Sequence, residues 1–123
     1  MTTSMKFQSF YPTIFICVYI TLAPTIAAYT TYTYLDMYAS SCKIWAEDSN
    51  GNLIGGDKDE IYDCDHFIHP DKTFNVPNQT YWVHAKVVAS LRDPKVRGPY
   101  NENTCFHIYG TVTDWGFDQT SCS

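Results

Sequence analysis

Two histidines and a lysine are the residues of this chain best suited to acid–base chemistry. His84 and Lys86 lie in "YWVHAKVVASL", residues 81–91, and His107 lies in "TCFHIYGTVTDW". If these segments pair as antiparallel strands, the three side chains share one side of a sheet. One imidazole could remove the 2′-hydroxyl proton of RNA, the other could protonate the leaving oxygen, and the ammonium could stabilise the charged intermediate. Alternatively, all three are solvent-facing strand residues whose apolar stems cover the sheet.

A second cluster of ionisable residues lies in the acidic segment "DCDHFIH", with Asp63, Asp65, His66 and His69 after the acids Asp57, Asp59 and Glu60. Carboxylates and imidazoles bind divalent metals. Their spacing matches no specific metal motif, however, and "DSNGNL" has Leu53 where a calcium loop requires glycine. Nucleophile-elbow and phosphate-binding glycine motifs are also absent from the sequence. We therefore predict a solvated acidic loop, with no metal and no cofactor.

Aromatic residues are the third candidate for function. Exposed Tyr and Trp commonly anchor protein interfaces, since they bring a large contact area at low entropic cost. The alternative is that most of them pack between two sheets or over the cystines. As binding residues the sequence suggests Trp45, Trp82 and Tyr109.

Short strands must position all of these side chains. Residues 81–91 alternate, with Tyr81, Val83 and Ala85 on one side and Trp82 and His84 on the other, as in a half-buried strand. Residues 105–113 alternate in the same way, and 29–47 is rich in Tyr, Thr and Ile, which favours two strands broken near 40–41. Asn50-Gly51 predicts a tight hairpin turn, because this pair tolerates the positive φ angles that the turn requires.

Three segments are predicted as connections: 55–70 with a short strand near 60–62, 70–77 with a short edge segment, and the polar stretch 92–103. About six short antiparallel strands and no amphipathic helix remain. The predicted fold is therefore a small all-β, disulfide-stapled β-sandwich or barrel.

The first 28 residues resemble a secretory signal peptide. Lys6 is their only charge, an apolar run extends from about Ile14 to Ala23, and small residues follow at Ala27 and Ala28. That run is about ten residues, short of the roughly 20 that a membrane-spanning helix needs. The expected organisation is a signal peptide over 1–28 and one secreted domain over 29–123, with an uncleaved anchor as the alternative.

Four cysteines remain in the secreted segment, namely Cys42, Cys64, Cys105 and Cys122. An even number in a small secreted domain predicts two disulfides, and four cysteines allow three pairings that sequence cannot separate. One candidate pairs Cys42 with Cys122 and Cys64 with Cys105.

Charge and one surface motif bound the partners. The full chain has a formal charge of −5, and loss of Lys6 leaves −6 on the secreted segment. An acidic surface repels nucleic-acid phosphate and gains nothing from anionic lipid, so neither nucleic acid nor membrane is the expected partner. Asn78-Gln79-Thr80 is an N-glycosylation sequon, which predicts a surface loop.

The signal peptide, the short acidic Tyr-rich chain, the early cysteine in "SSCKIW" and the last one in "TSCS" resemble the small secreted effectors of plant-pathogenic fungi. At the level of fold the chain resembles the ToxB-related (MAX) β-sandwich effectors. The departures are a second predicted disulfide and a longer "GGDKDEIYDCDHFIHP" loop. The resemblance implies a virulence effector that binds a host protein to dampen plant defence or is itself detected by a host receptor, either outside host cells or after entry into them. We expect the secreted chain to be a monomer. It transfers no functional residue.

The sequence thus favours a protein-binding function over an enzymatic one. The alternative is a small secreted ribonuclease or ribonuclease-like toxin that uses His84, His107 and Lys86. A structural or antimicrobial extracellular protein is a third hypothesis, and the acidic charge disfavours its membrane-lytic form.

Overall fold

The computed structural model describes residues 27–68 and 71–122, and these residues form nine strands and no helix. They include no helix that could cross a bilayer. The predicted signal peptide lies outside the described residues except at positions 27 and 28. The strands are β1 (Ala27–Met37), β2 (Ser41–Glu47), β3 (Leu53–Gly56), β4 (Tyr62–Asp63), β5 (Asp71–Pro77), β6 (Tyr81–Val87), β7 (Lys95–Tyr100), β8 (Thr104–Gly110) and β9 (Trp115–Thr120).

The strands form two sheets packed face to face. One has the order β5-β1-β8-β9, and the other has the order β3-β2-β6-β7 with β4 paired to β2. The predicted all-β, disulfide-stapled sandwich is confirmed. The expected count of about six antiparallel strands is wrong in detail, because the described residues form nine strands and β1 pairs with β8 in parallel.

The core lies between the sheets and follows the alternation of each strand. Leu35, Phe106 and Phe117 come from the four-stranded sheet and Ile44 and Val83 from the other, and all five are essentially inaccessible to solvent. Burying side chains of this size stabilises the fold by about 1.5–3 kcal/mol each. The rings of Phe106 and Phe117 stack with centroids 4.7 Å apart.

The predicted Asn-Gly turn joins β2 to β3 as expected. Gly51 has a φ of +82°, and the Asp48 carboxylate accepts the backbone N–H groups of Asn50 and Asn52, each at 2.9 Å. These hydrogen bonds, that from Asn52 foremost, lower the pKa of Asp48. The turn is therefore closed by the side chain of its first residue as well as by glycine.

The segment predicted as a polar connection, 92–103, contains β7. Gly98 and Pro99 lowered its apparent strand character, yet proline is tolerated at a sheet edge, and β7 is an edge strand. Because β7 occupies the place beside β6, the expected pairing of 81–91 with 105–113 is wrong. β6 pairs with β2 and β7, whereas β8 lies in the other sheet between β1 and β9.

Both disulfides join positions close in sequence. Cys42 pairs with Cys64 and Cys105 with Cys122, with Cα–Cα distances of 5.9 and 5.2 Å. The candidate pairing of Cys42 with Cys122 and Cys64 with Cys105 is therefore wrong. The first cystine is buried and fixes β2 to the segment after β4, and the second holds the C-terminal segment against β8.

Candidate functional site

The outward side of the four-stranded sheet carries the most connected set of polar and aromatic side chains. We call it the tyrosine–histidine face and define it by Tyr32, Tyr34 and Asp36 of β1 and His107 and Tyr109 of β8. Strand alternation points these residues away from the core, since Thr31, Thr33 and Leu35 between them are buried. The parallel register sets Tyr34 beside His107 and Asp36 beside Tyr109.

One carboxylate holds two imidazoles at the centre of this face. The Nε2 atom of His107 lies 2.8 Å from Asp36 Oδ2, and the Nδ1 atom of His66 lies 3.1 Å from Asp36 Oδ1. The Tyr34 hydroxyl lies 2.9 Å from the same His66 nitrogen, and the Tyr34 and His107 rings are in contact at 5.4 Å. His66 comes from the loop after β4, which runs beside the end of β1.

Tyr109 extends the face towards β9. Its ring lies over the backbone of Gly116, where an added Cβ would come within 2.4 Å of the ring, and its hydroxyl donates to Asp118 Oδ2 at 2.5 Å. This hydrogen bond is the main cause that raises the pKa of Tyr109. Tyr32 lies on the other side, with its hydroxyl 3.5 Å from Asp71. All three tyrosines therefore have neighbours that fix their rings.

The three residues of the alternative ribonuclease hypothesis do not come together in the structure. His84 and Lys86 lie on β6 and point outward from the five-stranded sheet, whereas His107 points outward from the other sheet. The core separates the two surfaces, so the three groups do not meet. The Lys86 ammonium donates to the backbone carbonyls of Ser90 and Arg92 and so fixes the β6–β7 loop.

His84 belongs instead to a small cluster with Trp45. Their rings stack at 5.3 Å, Trp45 Nε1 donates to Glu47 Oε2 at 2.5 Å, and His84 Nε2 lies 3.6 Å from Glu47 Oε1. The Lys58 ammonium lies 5.9 Å from the centroid of the indole. Trp45 is only 5% exposed as a result, so it offers little surface to a partner.

Trp82, the second predicted binding residue, is also partly covered. An added Cβ at Gly98 would lie 2.7 Å from Trp82 Cδ1, so the indole lies against the backbone of β7 at Gly98 and is only partly exposed. The three predicted binding residues are on two surfaces, Trp45 and Trp82 on one and Tyr109 on the other. Tyr109 alone belongs to the tyrosine–histidine face.

Burial lowers the pKa of His84, with the nearby Glu47 carboxylate opposing that shift. The unfolded chain therefore takes up a proton at higher pH than the folded chain does. His84 contributes stability that is fully present above its unfolded pKa of about 6.5 and is lost as the pH falls through the folded pKa. We expect the free energy of unfolding of His84→Gln to depend less steeply on pH between 7 and 5, as measured by urea titrations. Equal slopes for wild type and variant would contradict this role.

The acidic loop does not assemble a metal site among the residues that the structure describes. His69 lies outside them. Asp65 accepts the backbone N–H groups of Phe67 and Ala39 at 2.9 and 2.8 Å, and these bonds lower its pKa. Asp63 accepts the N–H of Asp65. These carboxylates organise the loop that carries His66.

Asn78 of the sequon is exposed in the turn between β5 and β6, as predicted for a surface loop.

Sequence reasoning singled out His66, His107 and Tyr109 but missed the contact between the two histidines through Asp36. The available signal was the period-two pattern of "YTTYTYLD", which places Tyr32, Tyr34 and Asp36 on one side of a strand. Their meeting with His107 depends on a parallel pairing between strands about 70 residues apart.

Comparison with known proteins assigns no family to the chain. No family model and no curated protein matches. Solved structures similar to this chain include listeriolysin O at 16% identity and a TM-score of 0.45, and a Gram-negative toxin at 12% and 0.44. The human-specific toxin intermedilysin is also similar, at 9% identity and a TM-score of 0.45. Each comparison covers 76% of this chain, which spans only 23% of the toxin's length.

Proposed function

We propose that this protein is a secreted, non-catalytic binding protein that captures another protein through its tyrosine–histidine face. The observation that carries the proposal is that the three tyrosines and the histidine of this face, with His66 beside them, are joined by contacts and open to solvent. Tyr32 and Tyr109 are each 37% exposed, and the side chains of His66 and His107 are 37% and 36% exposed.

The contacts within the face support binding in a second way. Asp36, Asp71 and Asp118 hold the rings of His107, Tyr32 and Tyr109 through hydrogen bonds before any partner arrives. Side chains that are already ordered lose less entropy on association. A rigid sheet therefore presents large amphipathic rings at low cost.

The preferred biological role is a virulence effector that binds a host protein, as the resemblance to fungal effectors implies. Two disulfides are compatible with an extracellular protein, since such bonds persist in oxidising compartments. Plant extracellular fluid is accordingly the first source in which to search for the partner.

No observation favours the ribonuclease alternative. His84 and Lys86 are remote from His107, and the histidine pair that does meet shares the carboxylate of Asp36. Carboxylates around the pair repel the phosphate of a nucleic-acid substrate. Capture of a protein does not require His84, Lys86 and His107 to lie together.

The test uses the oxidised secreted protein as bait for plant extracellular fluid, followed by affinity measurements with the purified partner. Tyr32→Ser combined with Tyr109→Ser should weaken binding by about 30-fold or more, because central aromatic residues are commonly worth about 2 kcal/mol. Tyr38→Ser is the matched control, since Tyr38 is 62% exposed on the β1–β2 loop outside the face.

Two results would contradict the proposal. One is partner binding that survives in the double variant, with folding verified by circular dichroism. The other is cleavage of single-stranded RNA by the wild type that disappears in His107→Ala, which would instead support an enzyme.

A further inference from the structure

Charge is sorted between the two outer surfaces of the sandwich. In the four-stranded sheet that carries the tyrosine–histidine face, the outward-pointing charged residues are Asp36, Asp71 and Asp118, and no lysine or arginine of these strands points outward. The four strands contain one lysine, Lys72, and no arginine. It points to the other side, with its ammonium 4.4 Å from the centroid of the Tyr62 ring.

The opposite outer surface differs in sign. There Lys43 lies directly beside Lys86 across the β2–β6 pair, and Glu47 is the acidic residue on the same two strands. The negative charge of the chain is therefore not spread evenly over both outer surfaces, and the tyrosine–histidine face is acidic in its own right.

A row of four side chains crosses this face, one from each strand. The strand registers place Asp71 beside Tyr34, Tyr34 beside His107, and His107 beside Asp118. The two terminal carboxylates are three strand spacings apart, about 14 Å, which equals about four residues of an extended chain. Arg97 approaches Asp118 from β7 at 3.8 Å, but the Asp118 side chain remains 60% exposed.

Aromatic rings between and beside these carboxylates suit the same kind of ligand. Guanidinium and ammonium groups are attracted to the faces of aromatic rings as well as to carboxylates. Tyr34 lies within the row, and Tyr109 lies beside it.

We propose that the tyrosine–histidine face binds an extended basic segment of the partner protein, with cationic side chains four residues apart. Arginine or lysine side chains meet Asp71 and Asp118, and the intervening chain rests on Tyr34 and His107. This inference rests on the proposed function and specifies the partner's chemistry.

The probe is a fluorescein-labelled peptide with three repeats of Arg-Thr-Thr-Thr, and the comparison peptide has Glu in place of Arg. Fluorescence anisotropy should show binding of the arginine peptide, which weakens as NaCl rises from 50 to 300 mM because salt screens exposed charges. Asp71→Asn with Asp118→Asn should weaken binding about tenfold, because this variant loses both exposed ion pairs with the peptide.

The matched control is Asp57→Asn with Asp59→Asn, which removes the same charge from exposed loop positions off this face. This variant should bind the peptide with an affinity within about twofold of wild type, because substitutions at exposed positions away from a site usually have small effects. Equal loss in both double variants would overturn the proposal, because net charge alone would then explain binding. Equal affinity for the glutamate peptide would also overturn it. Self-association in sedimentation that disappears in Lys43→Gln would overturn it too, because the face would then bind the lysine surface of a second copy of this chain.

The captured partner distinguishes this inference from the broader function. If partner binding is lost in Tyr32→Ser with Tyr109→Ser but is insensitive to salt and to Asp71→Asn with Asp118→Asn, protein capture stands and the basic segment is wrong. If the tyrosine variant binds its partner normally, both are wrong.

Discussion

Replacing Trp45 with alanine is expected to lower the free energy of unfolding by about 3–5 kcal/mol, the usual cost of deleting a buried aromatic side chain. Trp45 points away from the core yet is 5% exposed, because His84 and Lys58 lie against its ring. Its removal also leaves Glu47 Oε2 without its indole donor. Small domains have about 5–15 kcal/mol in total, so a large part of the stability depends on this residue.

Urea titrations monitored by circular dichroism at pH 7.5 provide the measurement, with Trp82→Ala as the control on the same surface. Trp82 is more exposed than Trp45, so its removal should cost less. The folded fraction of Trp45→Ala should still bind the partner as wild type does. A variant of normal stability that fails to bind would instead restore Trp45 as an interface residue.

The side of the sheet that each residue faces was predictable from the sequence. The alternation of 81–87 places Tyr81, Val83 and Ala85 in the core and Trp82 and His84 outside, as expected. Local rules also located the Asn-Gly hairpin, because glycine and the Asp48 side chain close it without help from distant residues.

Strand partners were not predictable, because they depend on contacts distant in sequence. Alternation assigns His84 and His107 each to an outward position but does not say to which sheet. The strand that decides between the expected pairing and the observed one is β7. Its Gly98 and Pro99 weakened the strand pattern, and with β2 and β7 on the two sides of β6, β8 cannot pair with β6.

The same limit applies to the candidate site. Period two in β1 sets Tyr32, Tyr34 and Asp36 on one face, but nothing local indicates that β1 and β8 run in parallel. His66 reaches Asp36 only because the loop after β4 runs beside the end of β1, at Met37. The site is therefore a product of topology more than of motif.

Removing the buried cystine with Cys42→Ala and Cys64→Ala is expected to cost about 3–5 kcal/mol, within the range seen for native disulfides in small secreted domains. The bridge closes a separation of 22 residues, for which the loop-entropy model alone gives about 3 kcal/mol. Both cysteines are fully buried in the core, so their sulfur atoms also contribute packing that alanine does not replace.

The pair Cys105→Ala and Cys122→Ala is the matched comparison. Its sequence separation is 17 residues, so the loop-entropy contribution to the free energy of unfolding is nearly the same. Cys122, however, is exposed after the last strand. Urea titrations should therefore show the smaller loss for this pair. Equal losses would mean that loop closure alone determines stability and that burial of the Cys42–Cys64 bridge adds nothing.

Peptide mapping without reduction tests the connectivity on which this comparison depends. The expected cross-linked peptides join Cys42 to Cys64 and Cys105 to Cys122. Cys42 lies in β2 of one sheet and Cys105 in β8 of the other. A link from Cys42 to Cys122 would have to connect the two sheets, since Cys122 follows β9. Such a link would contradict the arrangement in which each bridge lies within its own sheet and neither bridge joins the two sheets.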